Sequence, residues 1–262
     1  MRSIAAAFVF FTRLPFWRLK VFNVPQEYYK QVINYWAVVG WLTGGVMAGT
    51  LWLFSNIIPY EIAVISAILS RILVTGALHE DGLADFFDGF GGGNKKERIL
   101  EIMKDSHIGT YGVISLIFYF LLLFSLLNNM PLEMACIAIL VADPLCKYIA
   151  SQITLFLPYA RTVESSKSKV IYSKMSIAAF IISAVFGLLP AVLLLKIHFS
   201  LAIIFPIFVY LLLVYLLKKK IQGYTGDCCG AIFLLCELSF YLGITILQYT
   251  QIWKYISSAI LQ

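Results

Sequence analysis

A cluster of acidic residues is the strongest chemical feature of the sequence. Residues 79–89 read His-Glu-Asp-Gly-Leu-Ala-Asp-Phe-Phe-Asp-Gly, so that Asp81, Asp85 and Asp88 follow an i, i+4, i+7 spacing. In a helix this spacing places the three carboxylates on one face. Such a face needs a cation, and Mg²⁺ favours carboxylates combined with phosphate oxygens. The pattern therefore predicts a site for a Mg²⁺-bound diphosphate, against the alternative of a solvated acidic helix end. His79 is a candidate general base or phosphate donor, or else a structural histidine.

A second polar segment covers residues 223–231 and reads Gly-Tyr-Thr-Gly-Asp-Cys-Cys-Gly-Ala. A glycine-rich turn that opens a helix binds anions through its free backbone N–H groups, so Gly226 and Gly230 are candidate phosphate-binding positions. Asp227 is a candidate fourth metal ligand. Glu237 lies ten residues further on and is predicted to face the same side. A buried carboxylate in a membrane span indicates function, with a structural hydrogen-bonding role as the alternative.

Basic residues near these segments are candidates for neutralising phosphate charge. Arg161 can bind a phosphate through two parallel hydrogen bonds. Arg161 and Lys147 are both predicted to lie at the cytoplasmic end of the fourth span. Arg98 and Lys104 lie in residues 95–104, which are predicted to form an amphipathic helix on a membrane surface. Arg13, in Thr-Arg-Leu-Pro at residues 12–15, completes the candidates. Anchoring at the membrane interface is the alternative for Arg161, and the spacing alone favours it for Arg13.

Composition defines the elements that must position these residues. Hydrophobic residues make up 61% of the 262 positions and charged residues only 13%, whereas a soluble domain is about one quarter charged. The sequence therefore predicts an all-α polytopic membrane protein, a single domain over residues 1–262. A span needs about 20 apolar residues. Seven charge-poor stretches meet this, within 32–58, 62–79, 111–127, 134–160, 175–195, 197–217 and 228–253.

The distribution of positive charge predicts an orientation. If the N-terminus is cytoplasmic, the inner segments 1–30, 80–112, 158–174 and 218–230 contain 16 of the 20 Lys and Arg residues. Cytoplasmic loops are enriched in these residues, so the net charge of +6 needs no nucleic-acid partner. The polar segments then all lie on the cytoplasmic side, as expected of an active site at the membrane surface. Oligomeric state is left open.

These motifs together resemble the cobalamin synthase family, the adenosylcobinamide-GDP ribazoletransferases. The resemblance covers nearly the whole chain in order. Its most specific part is the acidic motif followed by Leu-Glu-Ile-Met-Lys-Asp-Ser at residues 100–106, and residues 12–15, 159–161 and 225–237 agree with it. The chain departs from the family pattern at Glu80, where an apolar residue is expected, and at His107 and Lys147, where arginine is expected.

The resemblance implies a reaction and its participants. A ribose hydroxyl of α-ribazole, or of its 5′-phosphate, attacks the phosphoryl group on the cobinamide arm of adenosylcobinamide-GDP. GMP leaves, and the product is adenosylcobalamin or its 5′-phosphate. The family implies Mg²⁺ and the cytoplasmic membrane. In this reading Asp81, Asp85 and Asp88 hold the metal with Asp227, Arg161 and Lys147 stabilise the phosphoryl oxygens, and His79 accepts the proton.

Other Mg²⁺-dependent membrane transferases compete with this interpretation, as does a different class, the transporters and cation channels. CDP-alcohol phosphotransferases and prenyltransferases also use spaced aspartates with Mg²⁺. The first requires an Asp-Gly-x-x-Ala-Arg pattern, whereas Asp81-Gly82 is followed by Leu-Ala-Asp; the second requires a second acidic motif, which the Asp227 segment lacks. A transporter would carry charges at midspan, and the charges within these spans lie mostly towards their cytoplasmic ends.

Overall fold

The chain is folded almost entirely into helices. The structure, a computed structural model, describes residues 1–161 and 171–260, with Trp17 and residues 251–260 described by their backbone alone. These residues contain no β-strand. The α-helices are α1 (Arg2–Phe11), α2 (Trp36–Phe54), α3 (Tyr60–Thr75), α4 (Leu78–Gly92), α5 (Lys96–Lys104), α6 (Thr110–Asn128), α7 (Leu132–Ser151), α8 (Ile153–Phe156), α9 (Ile177–Leu194), α10 (Ile204–Lys220) and α11 (Gly226–Ile260). Further 3₁₀ helices cover Phe16–Arg18, Lys20–Phe22, Gln26–Tyr35 and Ile197–Ile203.

The prediction of an all-α polytopic membrane protein is confirmed. In the described residues six helical segments are long and apolar enough to cross a membrane, and the bent pair α3–α4 makes a seventh if it counts as one span. The six segments are Gln26–Phe54, Thr110–Asn128, Leu132–Phe156, Ile177–Leu194, Ile197–Lys220 and Gly226–Thr250. The first begins earlier than predicted because a 3₁₀ helix precedes α2. Two lysines counted in the predicted inner segment 158–174 fall in residues 162–170, outside the described residues.

The prediction of one continuous helix over residues 62–79 is wrong. Helix α3 ends at Thr75, and α4 leaves it at 90°. Gly76 has a φ of 65°, the left-handed conformation that commonly ends a helix. Ala77 follows with a φ of 56°, unusual for a residue with a side chain. The acidic segment therefore forms its own helix, turned across the bundle rather than continuing along α3.

Two helices occupy the centre of the bundle. Most of α7 and of the Gly226–Thr250 part of α11 is buried, whereas α6, α9 and α10 expose most of their surface. Helix α7 packs against α2, and α11 packs against α4. Small residues allow membrane helices to approach closely, and α7 buries four alanines: Ala135, Ala138, Ala142 and Ala150. The outer helices expose large apolar side chains such as Leu121, Val192 and Leu211, as expected of lipid-facing surfaces.

Candidate active site

A cavity of about 240 Å³ lies where α1, α2, α4 and α11 meet. We call it the main cavity. Five of its lining residues are polar or lie at the start of a helix, and we call them the polar wall: Asp81, Arg161, Gly226, Asp227 and Gly230. Four others are apolar, and we call them the apolar wall: Phe10, Phe11, Ile33 and Trp36. Leu78, His79, Tyr159, Tyr172 and Cys229 complete the lining. The cavity thus brings together six of the residues that the sequence singled out: His79, Asp81, Arg161, Gly226, Asp227 and Gly230.

Close packing between α4 and α11 creates the polar wall. A Cβ atom at Gly82 would lie 3.0 Å from the carbonyl oxygen of Asp227, and one at Gly230 would lie 3.1 Å from the carbonyl oxygen of His79. Both glycines therefore permit a backbone approach that a larger residue would prevent. This approach brings the first turn of α4, with Asp81, to the first turn of α11. The N-terminus of α11 carries the positive end of its helix dipole, which favours an anion.

Arg161 reaches this wall through a short backbone pairing. The amide of Ala160 donates to the carbonyl oxygen of Tyr224 at 2.8 Å, and the amide of Tyr224 donates to that of Pro158 at 3.0 Å. The guanidinium Nη1 lies 3.6 Å from Asp227 Oδ2, and Nη2 donates to the Leu100 carbonyl oxygen at 2.9 Å. Arg161 is thus nearly buried and fixed on two sides. A fixed cation beside a helix N-terminus suits a phosphate group.

Tyr172 adds a neutral donor to the same region. Its hydroxyl oxygen would lie 3.9 Å from a Cβ atom at Gly226, so it stands over the start of α11. Burial raises the pKa of the Tyr172 phenol well above its ordinary value. The hydroxyl therefore stays protonated at neutral pH and can donate to an anion.

His79 also lines the main cavity and packs against aromatic rings. Its ring centroid is 5.1 Å from that of Trp36, 5.1 Å from that of Phe233 and 6.2 Å from that of Phe11. The side chain is buried, and Nε2 has no hydrogen-bond partner among the residues that the structure describes. Buried polar atoms normally have a partner. An unpaired nitrogen in the lining of a cavity is therefore a candidate for contact with a ligand.

The three aspartates of α4 do not all face the main cavity, although the segment is helical as predicted. Asp81 lines it. Asp85 is nearly buried and lies outside the lining. Asp88 accepts hydrogen bonds from the amides of Gly109 at 2.7 Å and Gly112 at 2.8 Å, so both its oxygens cap the N-terminus of α6. Over residues 1–161 and 171–260, no three His, Cys, Asp or Glu side chains are grouped as metal ligands. The predicted grouping of Asp81, Asp85 and Asp88 is therefore not found; Asp81 and Asp227 are the carboxylates that share the cavity.

Lys147 and Glu237 lie in a buried ionic network instead of the cavity lining. Arg71 Nη1 pairs with Glu237 Oε1 at 2.5 Å, and Lys147 pairs with Asp143. The Lys147 ammonium lies 4.7 Å from the ring centroid of Phe233, which contacts His79. Buried charges in a membrane bundle need partners, and here they find them in each other. The network therefore packs against Phe233, which contacts His79, and neither Lys147 nor Glu237 lines the main cavity.

The remaining basic candidates also lie outside the main cavity. The Arg13 amide donates to the Val74 carbonyl oxygen at 2.7 Å, and its side chain packs over Gly76 at the α3–α4 bend. Arg98 is exposed and pairs with Glu101 at 2.8 Å. Lys104 is exposed at the end of α5, whose amphipathic character is confirmed because Ile99 and Met103 are buried. Asp88 and Arg98 line a second cavity, of about 390 Å³.

The apolar wall is the part of the site that the sequence did not reveal. Phe10 and Phe11 belong to the N-terminal helix α1, and Trp36 begins α2. Phe11 and Trp36 stack with ring centroids 5.0 Å apart and planes 16° from parallel. Aromatic residues are frequent throughout the chain, at 15%. No local pattern therefore distinguishes these rings from ordinary apolar packing.

The fold and the cavity together define a class of protein. This is a polytopic helical membrane protein in which two carboxylates, an arginine and a helix N-terminus converge beside an apolar wall. Residues 3–245 match the family model described as cobalamin-5-phosphate synthase. The chain belongs to this family, whose members are enzymes of cobalamin biosynthesis.

Similar proteins agree with the family match. A protein of Leptospira interrogans is 38% identical over 254 residues, which cover 92% of this chain and 94% of the relative. A protein of Shewanella sp. strain W3-18-1 is 37% identical over 236 residues, 89% of each chain. Both are named adenosylcobinamide-GDP ribazoletransferase. No solved structure matches the chain.

Proposed function

We propose that the protein transfers the cobinamide phosphoryl group of adenosylcobinamide-GDP to α-ribazole or to α-ribazole 5′-phosphate. The family and the names of its relatives support this reaction. The structural observation that carries it is the polar wall, where Asp81, Asp227 and Arg161 converge at the N-terminus of α11. Phosphoryl transfer depends mainly on positioning and charge neutralisation. This wall has the groups that both requirements need.

Each group has a defined part in the reaction. A ribose hydroxyl oxygen bonds to the phosphorus on the cobinamide arm, the diphosphate bridge bond breaks, and GMP leaves with the bridging oxygen. Arg161 and the α11 amides stabilise the negative charge that develops on the phosphoryl oxygens. His79 Nε2, which has no hydrogen-bond partner within residues 1–161 and 171–260, accepts the hydroxyl proton, with Asp81 as the alternative base.

Magnesium fits the residues of the polar wall. Asp81 and Asp227 line the same cavity, and Mg²⁺ commonly uses one or two carboxylates together with substrate phosphate oxygens and water. We propose that these two residues hold the ion, which would neutralise the diphosphate. Asp88 is a weaker candidate than the sequence suggested because backbone amides engage both its oxygens.

We propose that the protein lies in the cytoplasmic membrane with its N-terminus and active site facing the cytoplasm. The asymmetry of Lys and Arg supports this orientation. Labelling of single cysteines placed at Lys95 and at Lys196 tests it. Labelling of intact cells by an impermeant reagent at position 196 and not at position 95 supports the orientation, and the reverse pattern contradicts it.

The reaction is tested by release of GMP. Purified protein in nanodiscs is incubated with adenosylcobinamide-GDP, α-ribazole and Mg²⁺, and GMP is quantified. Asp81→Asn should reduce kcat by about 100-fold, the scale seen when a group that stabilises the transition state is removed. The control is Glu61→Gln, which neutralises an exposed carboxylate in the first turn of α3, far along the chain from the α3–α4 bend. Absence of GMP with the wild-type protein contradicts the proposed reaction. Equal rates for Asp81→Asn and the wild type contradict the role of the polar wall.

A further inference from the structure

Tyr172 is a polar residue of the main cavity that the proposed reaction leaves without a part. It is half-buried, as are Gly226 and Asp227, and Asp81 is exposed. These four residues are therefore the accessible polar part of the lining, in contrast to the buried His79. A ligand in the cavity can contact them where they stand.

Three parts of the chain hold the Tyr172 side chain in place. The amide and the hydroxyl of Ser173 both donate to the Lys30 carbonyl oxygen, at 2.7 and 3.1 Å. The Tyr172 ring meets the rings of Phe10 and Tyr159 at 82° and 86°, each with centroids 6.4 Å apart. Edge-to-face contacts of this kind are a favoured geometry for aromatic pairs. The position of the phenol oxygen is therefore set before a substrate binds.

The Tyr172 hydroxyl stands over the start of α11. Its oxygen would lie 3.9 Å from a Cβ atom at Gly226, the first residue of this helix. The first amides of a helix have no acceptor within the helix, and a helix N-terminus favours an anion. A phosphate oxygen that accepts from the hydroxyl therefore lies beside these amides as well.

A neutral donor suits the charges of this region. Asp81 and Asp227 line the same cavity, and Arg161 lies 3.6 Å from Asp227. Burial is the main cause that raises the pKa of the Tyr172 phenol, and the nearby Asp227 carboxylate acts in the same direction. The phenol therefore keeps its proton at neutral pH. It can donate to a phosphate without adding a charge, whereas an ionised phenol would repel the phosphate.

We propose that Tyr172 is a further catalytic residue, whose hydroxyl donates to the phosphate that the N-terminus of α11 binds. This inference rests on the proposed function and deepens it. The bond is to a non-bridging oxygen, so no proton is transferred and the leaving group departs as GMP. Donors that are fixed in advance stabilise developing charge without reorganisation. Tyr172 thus adds a neutral donor to Arg161 and the helix amides.

The test is a pair of tyrosine substitutions analysed with inorganic pyrophosphate and Mg²⁺ as the probe. Tyr172→Phe removes only the hydroxyl, and Tyr215→Phe makes the same change at an exposed position of α10. The Kd of pyrophosphate, measured by calorimetry in nanodiscs, should rise about tenfold in Tyr172→Phe, the scale of one hydrogen bond to a charged group. The kcat/KM for adenosylcobinamide-GDP should fall by the same factor. The KM for α-ribazole and the unfolding temperature should not change, and Tyr215→Phe should behave as the wild type.

A second variant tests the same contact from the side of the helix. An alanine at position 226 would meet the Tyr172 hydroxyl at 3.9 Å, an ordinary van der Waals contact, so the fold accommodates it. Its methyl group takes up space beside the hydroxyl that the phosphate needs, and Gly226→Ala should also weaken pyrophosphate binding about tenfold. Groups that contact one ligand do not act independently. The double variant should therefore bind pyrophosphate about as weakly as the weaker single variant.

The outcomes separate this inference from the proposed function. An unchanged Kd of pyrophosphate in Tyr172→Phe overturns the inference, whatever the stability of the variant, and so does a wild-type protein that does not bind pyrophosphate. A rise only in the KM for α-ribazole overturns it as well and assigns the hydroxyl to the acceptor. Losses that multiply in the double variant contradict a shared phosphate. If the wild type binds pyrophosphate through Tyr172 but releases no GMP, the proposed reaction fails and the phosphate contact of Tyr172 stands.

Discussion

Arg161 offers the sharpest test of the polar wall. Its guanidinium donates to the Leu100 carbonyl oxygen at 2.9 Å through Nη2 and lies 3.6 Å from Asp227 Oδ2 through Nη1. Lysine keeps the charge but has a single nitrogen, so Arg161→Lys cannot hold both positions and also meet a phosphate. A hydrogen bond to a charged group contributes roughly 1.5–3 kcal/mol. Because each 1.4 kcal/mol corresponds to about tenfold in rate, kcat/KM should fall by about 10- to 100-fold.

The assay is GMP release at varied adenosylcobinamide-GDP, with thermal unfolding measured on the same samples. Arg18→Lys is the matched control because Arg18 is exposed at the end of the 3₁₀ helix Phe16–Arg18. Arg161→Lys should unfold near the wild-type temperature and lose activity, since lysine can still make either the Leu100 contact or the ion pair with Asp227. A kcat/KM within about twofold of the wild type would refute the role assigned to Arg161.

Three further substitutions test the supporting structure. Asp88→Asn leaves one of the two α6 amides unpaired and should cost about 1–2 kcal/mol of unfolding free energy; a shift in the Mg²⁺ requirement without loss of stability would contradict the capping role. Glu237→Gln removes the carboxylate that pairs with the buried Arg71, which still donates to the Tyr119 hydroxyl, and should cost about 3–5 kcal/mol, measured by unfolding in detergent; unchanged stability would contradict the network. Gly82→Ala should separate α4 from α11 by a few tenths of an ångström and lower kcat by about 3- to 10-fold. Gly45→Ala, where nothing lies within 4 Å of the added atom, should have wild-type activity, and equal rates for the two alanine variants would contradict the close approach.

Much of the helical framework could be predicted from the sequence because charge-free stretches of span length have few alternatives in a membrane. The prolines at 59 and 131 precede α3 and α7, as expected of residues that begin helices. The bend at Gly76 could not be predicted in this way. A single glycine inside an apolar run is compatible with a continuous helix, and the turn depends on the conformations of two successive residues.

The parts of the site formed by residues close together in the sequence could be predicted. The first turns of α4 and α11 carry Asp81 and Asp227, and the sequence identified both as anion or metal positions. The partner of Glu237 was not predictable, because Arg71 reaches it through the packing of α3 against α11. Asp143, in contrast, lies one turn before Lys147 on α7. The apolar wall was missed for the same reason as the partner of Glu237.

A structure of the enzyme with adenosylcobinamide-GDP and Mg²⁺ bound would show where phosphoryl transfer takes place. We expect the diphosphate in the main cavity, within hydrogen-bonding distance of Arg161 and the first amides of α11, and the metal between Asp81 and Asp227. Diphosphate density in the second cavity, beside Asp88 and Arg98, would contradict it.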